Sequence, residues 1–302
     1  MTNPLARFAL GAWQLGGAST LNGRANGWGE FDAQAARELL LACHSAGINY
    51  IDTAAAYGNG ESEARIGRFW PDQTVGICSK ILPEPGAAVE CAFSPSYVQA
   101  SLSASLLRLR RTSIDTLLLH NPDCRALPNP AQFKQLQQFG LIKHFGVSAR
   151  DRQSAQRAID ANFGDTIELQ FGALDRRAEP MIAAATQLGM RVFLRGVLAS
   201  GYLSDAPPQL SDADYRSLAA SAQQSWMHAA SAALAFLDHQ LGGRAVSAIR
   251  FAMRQPVTRI LIGMRSPKRL ADLQLAAQLG PLSDTLVAQI EAAVPVPFSG
   301  WL

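Results

Sequence analysis

Residues 48–60 read INYIDTAAAYGNG, and this stretch indicates both the fold and the position of the chemistry. Its first residues, Ile48–Ile51, form a short apolar run after a glycine, which is typical of a buried strand that follows a helix. The run ends at Asp52, and Tyr57 follows in a loop of small residues. Barrels and open α/β sheets often carry catalytic residues where a buried strand becomes a loop. An Asp in that position can also form a turn or cap a helix, so the stretch alone leaves both interpretations open.

Two further apolar runs also end on polar side chains. Thr74–Ile81 carries Lys80 near its end, and Ile114–His120 ends on His120. Parallel neighbouring strands would project these two side chains, together with the Asp and Tyr of the first stretch, from one rim. Turn formation does not explain four polar residues on one rim, so we interpret them as a site.

The whole chain of 302 residues alternates strand patterns with helical patterns, joined by short connections. Eight strands are predicted: Phe8–Gly17 in its first part, Ile48–Ile51, Thr74–Ile81, Ile114–His120, Leu141–Ser148, Thr166–Phe171, Met190–Val197 and Thr258–Gly263. A Ser- and Ala-rich insert spans residues 199–223. The pattern predicts an α/β protein, a (β/α)8 TIM barrel that forms a single domain over residues 1–302. A doubly wound sheet is the alternative, but the GxGxxG phosphate loop is missing after the first strand.

The composition excludes several classes of function. Apolar residues make up 48% and charged residues 17%, as in ordinary globular proteins, and no apolar stretch is long enough to cross a membrane. A net charge of +3 without a basic run interleaved with aromatics argues against nucleic acid. No short metal-binding motif is present. The cysteines lack CxxC spacing and the N-terminus lacks a secretion signal, which predicts free thiols and a cytoplasmic protein. The four cysteines are Cys43, Cys78, Cys91 and Cys124.

The four rim residues suit acid catalysis at a carbonyl group. Tyr57 is the natural proton donor, because a neighbouring cation lowers the pKa of a phenol from its usual value near 10. Lys80 would supply this cation and Asp52 would orient it. His120 would form a hydrogen bond with the carbonyl oxygen of the substrate. The alternative for Lys80 and Asp52 is a plain ion pair.

An acid and a cation at a carbonyl oxygen still require a group that attacks the carbon, and a hydride from a bound nicotinamide meets this need. The segment 263–270, GMRSPKRL, provides a strand end, a possible helix cap at Ser266 and a proline in the first helical turn. Its cations are Arg265, Lys268 and Arg269. A helix N-terminus with cations suits an anion such as an adenosine 2′-phosphate. The alternative is that these cations are only solvated.

These segments together resemble the aldo-keto reductase family. GINYIDTAAAYGNGESE is similar to the family's Asp- and Tyr-bearing signature, SKI to its Lys strand and LLLHNPD to its His strand. IKHFGVS, ALDRR, GVLASGYL and AIRFAMRQPVTRILIGMRSPKRL resemble later family segments, so the resemblance runs nearly end to end. The resemblance is to bacterial-type members of the family, near the channel β-subunit-like branch.

The resemblance implies a role for each matching position. Tyr57 is the general acid, tuned by Asp52 and Lys80, and His120 orients the carbonyl. The implied cofactor-binding residues are Ser148, Glu168, Arg195, Gly196, Leu198, Gly201, Gly263, Arg265 and Arg269. Trp13 and Trp28 are implied walls of the substrate pocket, or else loop anchors. The implied cofactor is NADP, with NAD possible.

Four positions depart from the family pattern. Ala149 replaces the Asn that often follows the serine, and Glu168 stands where a Gln usually meets the nicotinamide amide. Arg195 stands where an aromatic side chain commonly stacks on the nicotinamide, and Asp272–Leu273 replaces the usual acidic–Asn pair near the adenine.

Three functions compete. The first is a reductase of small aldehydes or ketones, including sugars. The second is a nicotinamide-binding regulatory or accessory subunit with little turnover, and the third is a barrel enzyme in which Lys80 forms a Schiff base. The sequence indicates neither the substrate nor the oligomeric state.

Overall fold

Eight parallel strands close into a barrel in the computed structural model, which describes residues 3–21, 23–123, 125–204, 208, 210–219 and 221–295. In chain order the strands are β1 (Phe8–Gly11), β2 (Thr20–Leu21), β3 (Arg24–Ala25), β4 (Tyr50–Asp52), β5 (Gly76–Ile81), β6 (Ile114–His120), β7 (Ile142–Ser148), β8 (Thr166–Gln170), β9 (Arg191–Arg195) and β10 (Arg259–Gly263). The barrel order is β1-β10-β9-β8-β7-β6-β5-β4, and β4 pairs again with β1. This closure confirms the predicted (β/α)8 barrel and excludes a doubly wound sheet, which would have two edges.

Helices follow the barrel strands and cover their outer face. They are α1 (Ala33–Ser45), α2 (Glu61–Phe69), α3 (Pro95–Leu109), α4 (Ala131–Gln138), α5 (Arg152–Asp160), α6 (Glu179–Gln187), α7 (Ser221–Ala233), α8 (Gly243–Ala252), α9 (Lys268–Leu279) and α10 (Asp284–Ala293). Short 3-10 turns lie at Trp13–Gly16, Val89–Cys91, Ala199–Gly201, Tyr215–Leu218 and Ala235–His239. Antiparallel β2 and β3 form a small hairpin outside the barrel.

The two-residue period of the strands decides which side chains face the barrel interior. One small buried cluster fills the interior: Ala9, Tyr50, Cys78, Leu118, Phe193 and Leu261. The strand residues between these positions belong to the larger cluster that includes the helices. Asp52, Lys80, His120 and Arg195 each lie two residues after a member of the small cluster, at or near the C-terminal end of their strand. The same alternation therefore points all four side chains inward at one end of the barrel.

The predicted insert contains more structure than its composition indicates. Helix α7 begins at Ser221, within the predicted insert, and it ends at Ala233 before a separate 3-10 turn. The first turn of α7 reads SAQQ, which carries no apolar stripe that would reveal a helix. Upstream, Asp214 forms bridges with Gly27 and Trp28, so the insert lies beside the loop that follows β1.

Cys43 and Cys78 are buried free thiols and Cys91 is an exposed one, whereas Cys124 lies outside the described residues. Across the described ranges, every helix is too short or too polar to cross a membrane.

Candidate active site

The register of the barrel strands brings the predicted polar residues together at the C-terminal rim. Asp52 pairs in register with Cys78, two residues before Lys80. His120 pairs with Ser148, and Ser148 pairs in turn with Glu168 on the next strand. Because neighbouring parallel strands end at the same level, residues far apart in sequence become neighbours here.

Lys80 lies at the centre of this rim and is fully buried. Its Nζ donates to both carboxylate oxygens of Asp52 at 2.6 Å and to the Thr53 carbonyl oxygen at 3.1 Å. It also donates to the Tyr57 hydroxyl at 3.4 Å, and it lies 3.4 Å from Glu168 Oε2. One buried ammonium therefore contacts two carboxylates and one phenol.

Close backbone packing holds Tyr57 in place, between its own loop after β4 and the loop after β1. A Cβ at Gly58 would lie 2.3 Å from the Gly16 carbonyl oxygen, and Gly58 has a φ of 64°, so both space and conformation require glycine there. The Tyr57 ring stacks on Trp13 with centroids 5.5 Å apart. Asn26 joins the same loops, because it accepts from Trp13 Nε1 through its carbonyl oxygen and donates to the Ala56 carbonyl oxygen, each at 2.9 Å. These contacts fix the phenol beside Lys80.

Burial controls the proton affinities of this cluster. It raises the pKa of Tyr57, and Lys80 opposes that rise without cancelling it. The prediction that Tyr57 has a lowered pKa is therefore wrong for the net shift, because desolvation of the phenolate outweighs the cation. Burial alone would lower the Lys80 pKa, but Asp52 and Glu168 raise it well above its usual value. Burial and then Glu168 raise the pKa of Asp52 to about 7, against the effect of Lys80.

His120 faces Tyr57 edge-on, with ring centroids 5.8 Å apart. Burial, Lys80 and Arg195 lower the pKa of His120 well below its usual value, so the imidazole is neutral at pH 7. Its Nδ1 is buried and has no hydrogen-bond partner in the described part of the chain. A neutral imidazole can donate one hydrogen bond into the cavity without adding charge.

Glu168, Ser148 and Arg195 form a polar network beside Lys80. Ser148 Oγ donates to Glu168 Oε1 at 2.9 Å, and Arg195 Nε lies 3.6 Å from the same oxygen. The Arg195 guanidinium also donates to Gln170 Oε1 at 2.8 Å and to the Ala149 carbonyl oxygen at 3.1 Å. Two charged residues thus stand where the family pattern has neutral ones, and they lie next to each other.

A cavity of about 600 Å³ opens above these groups. Asp52, Tyr57 and His120 line it, as do Trp13 and Trp28 and every predicted cofactor-binding residue except Ser148. Ser148 is buried behind Glu168, to which its hydroxyl is bonded.

Tyr215 and Gln14 are among the cavity residues that sequence reasoning missed. Tyr215, from the insert, stacks on Trp13 with centroids 4.3 Å apart and shares a 3.0 Å hydrogen bond with Ser200. Gln14 is buried, and its Oε1 has no partner among the described residues. No local signal marks Tyr215, but Gln14 directly follows the pocket residue Trp13 in sequence.

The predicted cations also line the cavity, and Arg265 and Arg269 both contact other parts of the protein. Arg265 donates to the carbonyl oxygens of Trp28 and Glu30, the latter at 2.6 Å, and lies over the Phe31 ring. Arg269 pairs with Asp272 at 2.5 Å. The predicted cap at Ser266 is wrong, because α9 begins at Lys268 with Pro267 as its N-cap and no side-chain cap bond.

One cluster of acidic and thiol groups in the described residues has the spacing of metal ligands: Asp52, Cys78 and Glu168. The Lys80 ammonium contacts both carboxylates, so it supplies the positive charge that a metal ion would otherwise bring.

Comparison with known proteins agrees with this geometry. The profile of the Aldo/keto reductase family matches residues 7–295. The chain belongs to the aldo-keto reductase family. This family includes oxidoreductases that act on carbonyl compounds with nicotinamide cofactors.

Individual relatives match parts of the chain. A 194-residue segment is 27% identical to the NADH-specific methylglyoxal reductase of Escherichia coli and covers 58% of each chain. A 124-residue segment is 27% identical to an Oryza sativa protein named "Probable voltage-gated potassium channel subunit beta" and covers 39% of this chain and 34% of that one. Both matches span less than two-thirds of the relative. The match to a channel subunit agrees with the predicted branch.

The fold comparison covers nearly the whole chain. The solved structure of the glycerol dehydrogenase AKR11B4 from Gluconobacter oxydans has a TM-score of 0.73 and 25% sequence identity, covering 98% of this chain and 94% of that one. The chain therefore shares its barrel fold with this dehydrogenase over nearly its whole length.

The cavity residues fit a nicotinamide dinucleotide. Gly196 lines the cavity with a φ of 74°, a backbone conformation that favours glycine. The cations Arg265 and Arg269 line the same cavity as His120 and the Tyr57 phenol. This arrangement suits a ligand with an anionic part and a reactive ring.

Proposed function

We propose that this aldo-keto reductase reduces a small aldehyde or ketone to an alcohol, with Tyr57 as the general acid. The observation that carries the proposal is the 3.4 Å contact between Lys80 Nζ and the Tyr57 hydroxyl at the base of a cavity that His120 also lines. A reduced nicotinamide held in this cavity would supply the hydride that the carbonyl carbon requires. As the carbonyl π bond breaks, its oxygen takes the proton of Tyr57, and Lys80 stabilises the phenolate that remains.

His120 and Lys80 have distinct roles in this proposal. The neutral imidazole of His120 orients the carbonyl by donating to its oxygen. Lys80 acts as a fixed charge rather than a nucleophile, because its raised pKa keeps it an ammonium without a free lone pair. The contacts with Asp52 thus argue against a Schiff base at Lys80.

The proposal is tested by hydride transfer. The purified protein is incubated with reduced nicotinamide nucleotide deuterated at C4 and with a panel of small aldehydes, ketones and sugars. We expect the deuterium on the carbinol carbon of a product alcohol, because the transfer is direct. Deuterium appearing only in solvent would contradict the mechanism.

The second candidate, an accessory subunit, is supported by the partial match to a potassium channel β-subunit. It predicts tight nucleotide binding, no labelled alcohol with any member of the panel, and co-purification with a partner protein.

A cytoplasmic location remains the prediction that cysteine usage supports.

We also propose a preference for NADPH. Arg265 contacts neutral carbonyl oxygens, so its charge remains available to an adenosine 2′-phosphate, whereas Arg269 already pairs with Asp272. We expect Arg265→Gln to weaken NADPH binding about tenfold and leave NADH binding nearly unchanged, since a charge-assisted hydrogen bond contributes about 1.5–3 kcal/mol. Gln can still donate to the carbonyl oxygens of the loop.

The measurement is a titration with each nucleotide, read by quenching of the fluorescence of Trp13 and Trp28, which line the cavity. Arg254→Gln is the control, because Arg254 pairs with Asp284 on the outer helices. Equal affinities of the unaltered protein for NADPH and NADH would contradict the preference.

A further inference from the structure

Two carboxylates, not one, contact the buried ammonium of Lys80. Asp52 holds it at 2.6 Å through both oxygens, and Glu168 approaches from the opposite part of the barrel with Oε2 at 3.4 Å. Glu168 is fully buried, and Oε2 has no hydrogen-bond donor among the described residues. Its side chain is fixed by Ser148 on the other oxygen. The Lys80 ion pair is therefore the one polar contact that the structure describes for Oε2.

A buried carboxylate in this position requires positive charge on both sides. Lys80 provides it at Oε2, and the Arg195 guanidinium lies 3.6 Å from Oε1. The formal negative charges of Asp52 and Glu168 balance the formal positive charges of Lys80 and Arg195. An isolated carboxylate would be costly to bury, whereas a balanced set of four charges is tolerated. Glu168 and Arg195 thus belong to the charge network of the lysine rather than forming an independent pair.

We propose that Glu168 is a second counter-ion of Lys80, a positioning residue that acts on Tyr57 through the lysine and shares this task with Asp52. This inference rests on the proposed role of Tyr57 as the acid. While either carboxylate remains, Lys80 stays charged and in place; without both, a fully buried amine has no anion and loses its proton.

The charged and titratable groups that face this cluster come from six parts of the rim: Asp52, Tyr57, Cys78, His120, Glu168 and Arg195. Glu168 raises the pKa of Tyr57, after the larger effects of burial and of Asp52 and against that of Lys80. Removing only its charge therefore lowers the pKa of the phenol. This sign separates an electrostatic role from a purely structural one.

The test compares Asp52→Asn, Glu168→Gln and the double variant. We expect each single variant to lose about tenfold in kcat for reduction, and the double variant to lose about tenfold more than the product of the two, because the two carboxylates substitute for each other. If the loss of kcat in the double variant equals the product of the two single losses, the shared role is overturned.

The pH profile supplies the second readout. In oxidation of the product alcohol, Tyr57 must start as the phenolate in order to accept the alcohol's proton, so Glu168→Gln should move the rise of kcat to lower pH by about one unit. Glu168→Asp keeps the charge and should leave the rise nearly in place. Glu63→Gln is the matched control, because it neutralises a buried glutamate that pairs with Arg108 and does not contact Lys80. A profile that does not move in Glu168→Gln would reduce Glu168 to a packing or nucleotide-binding residue.

Unfolding by urea provides a readout that does not depend on catalysis. The double variant should lose more stability than the sum of the single variants, since only it leaves the buried lysine without a carboxylate. If this excess is present while Tyr57→Phe retains full activity, the counter-ion role stands and the acid assignment fails. If stability is additive, the counter-ion role fails whatever Tyr57 does.

Discussion

Replacing Tyr57 with Phe is expected to reduce carbonyl reduction by about a thousandfold while nucleotide affinity stays within about twofold of the original. A positioned general acid contributes about 10²–10⁴-fold, and the substitution removes the only atom that the reaction requires of this side chain. The ring itself remains and can still stack on Trp13, so the walls of the cavity are preserved. The residual rate would come from the hydride donor with His120 and Lys80 near the carbonyl oxygen.

The measurement is the single-turnover rate of reduced-nucleotide oxidation with a carbonyl that the unaltered protein reduces. Tyr97→Phe is the matched control. It removes an equivalent hydroxyl from α3, away from the cavity. A Tyr57→Phe rate within a few-fold of the original would rule out the acid assignment. Loss of nucleotide binding in the same variant would indicate a distorted cavity rather than a missing proton.

The barrel and its rim could be predicted because their signals are local. Asp52, Lys80 and His120 each lie at or near the end of an apolar run, and the two-residue period of a strand fixes the face on which each side chain lies. Parallel pairing then aligns the ends of the strands without any further information. Residues that are far apart in sequence could be grouped for this reason alone.

The proton affinity of Tyr57 could not be predicted in the same way. A sequence shows that a cation can lie near a phenol, but the net pKa depends on how much water both have lost. Here the buried environment outweighs Lys80. The aromatic contact of Tyr215 was missed for a related reason, since it joins the insert to Trp13 through loops that carry no periodic pattern.

The protein partners of Arg265 and Arg269 also depend on loop geometry. The sequence indicated that Arg265 and Arg269 follow a strand near a helix start, which is enough to predict a basic end of the cavity. Whether each arginine pairs with a carboxylate or with carbonyl oxygens depends on the loop after β1 and on the start of α9. That difference now distinguishes the two residues in the proposed nucleotide preference.

Replacing Lys80 with Met is expected to reduce activity by about 10²–10³-fold and to destabilise the fold by about 3–5 kcal/mol once the buried carboxylates are ionised. Methionine fills much of the volume of the lysine stem but leaves Asp52 and Glu168 buried without the ammonium that both contact. Without that charge, the phenolate of Tyr57 has lost its nearest cation as well. The measurements are kcat for reduction and the free energy of unfolding in urea. Lys143→Met is the control, because Lys143 forms an exposed pair with Asp115 and should cost little in either measurement.

The pH dependence of this destabilisation has a definite sign. The Asp52 pKa is already raised to about 7 in the folded protein, above its ordinary value, and loss of Lys80 removes the effect that lowers it. A carboxyl with a raised folded pKa binds its proton more tightly when folded, so its contribution favours folding at low pH and is lost as pH rises through the folded pKa. Below about pH 7 Asp52 holds its proton in both folded proteins, so the deficit of Lys80→Met should change little there; it should grow as pH rises above about 7, where only the variant still keeps Asp52 protonated. A deficit that is constant with pH would mean that the loss comes from packing, and that the two carboxylates do not depend on Lys80 for their charge.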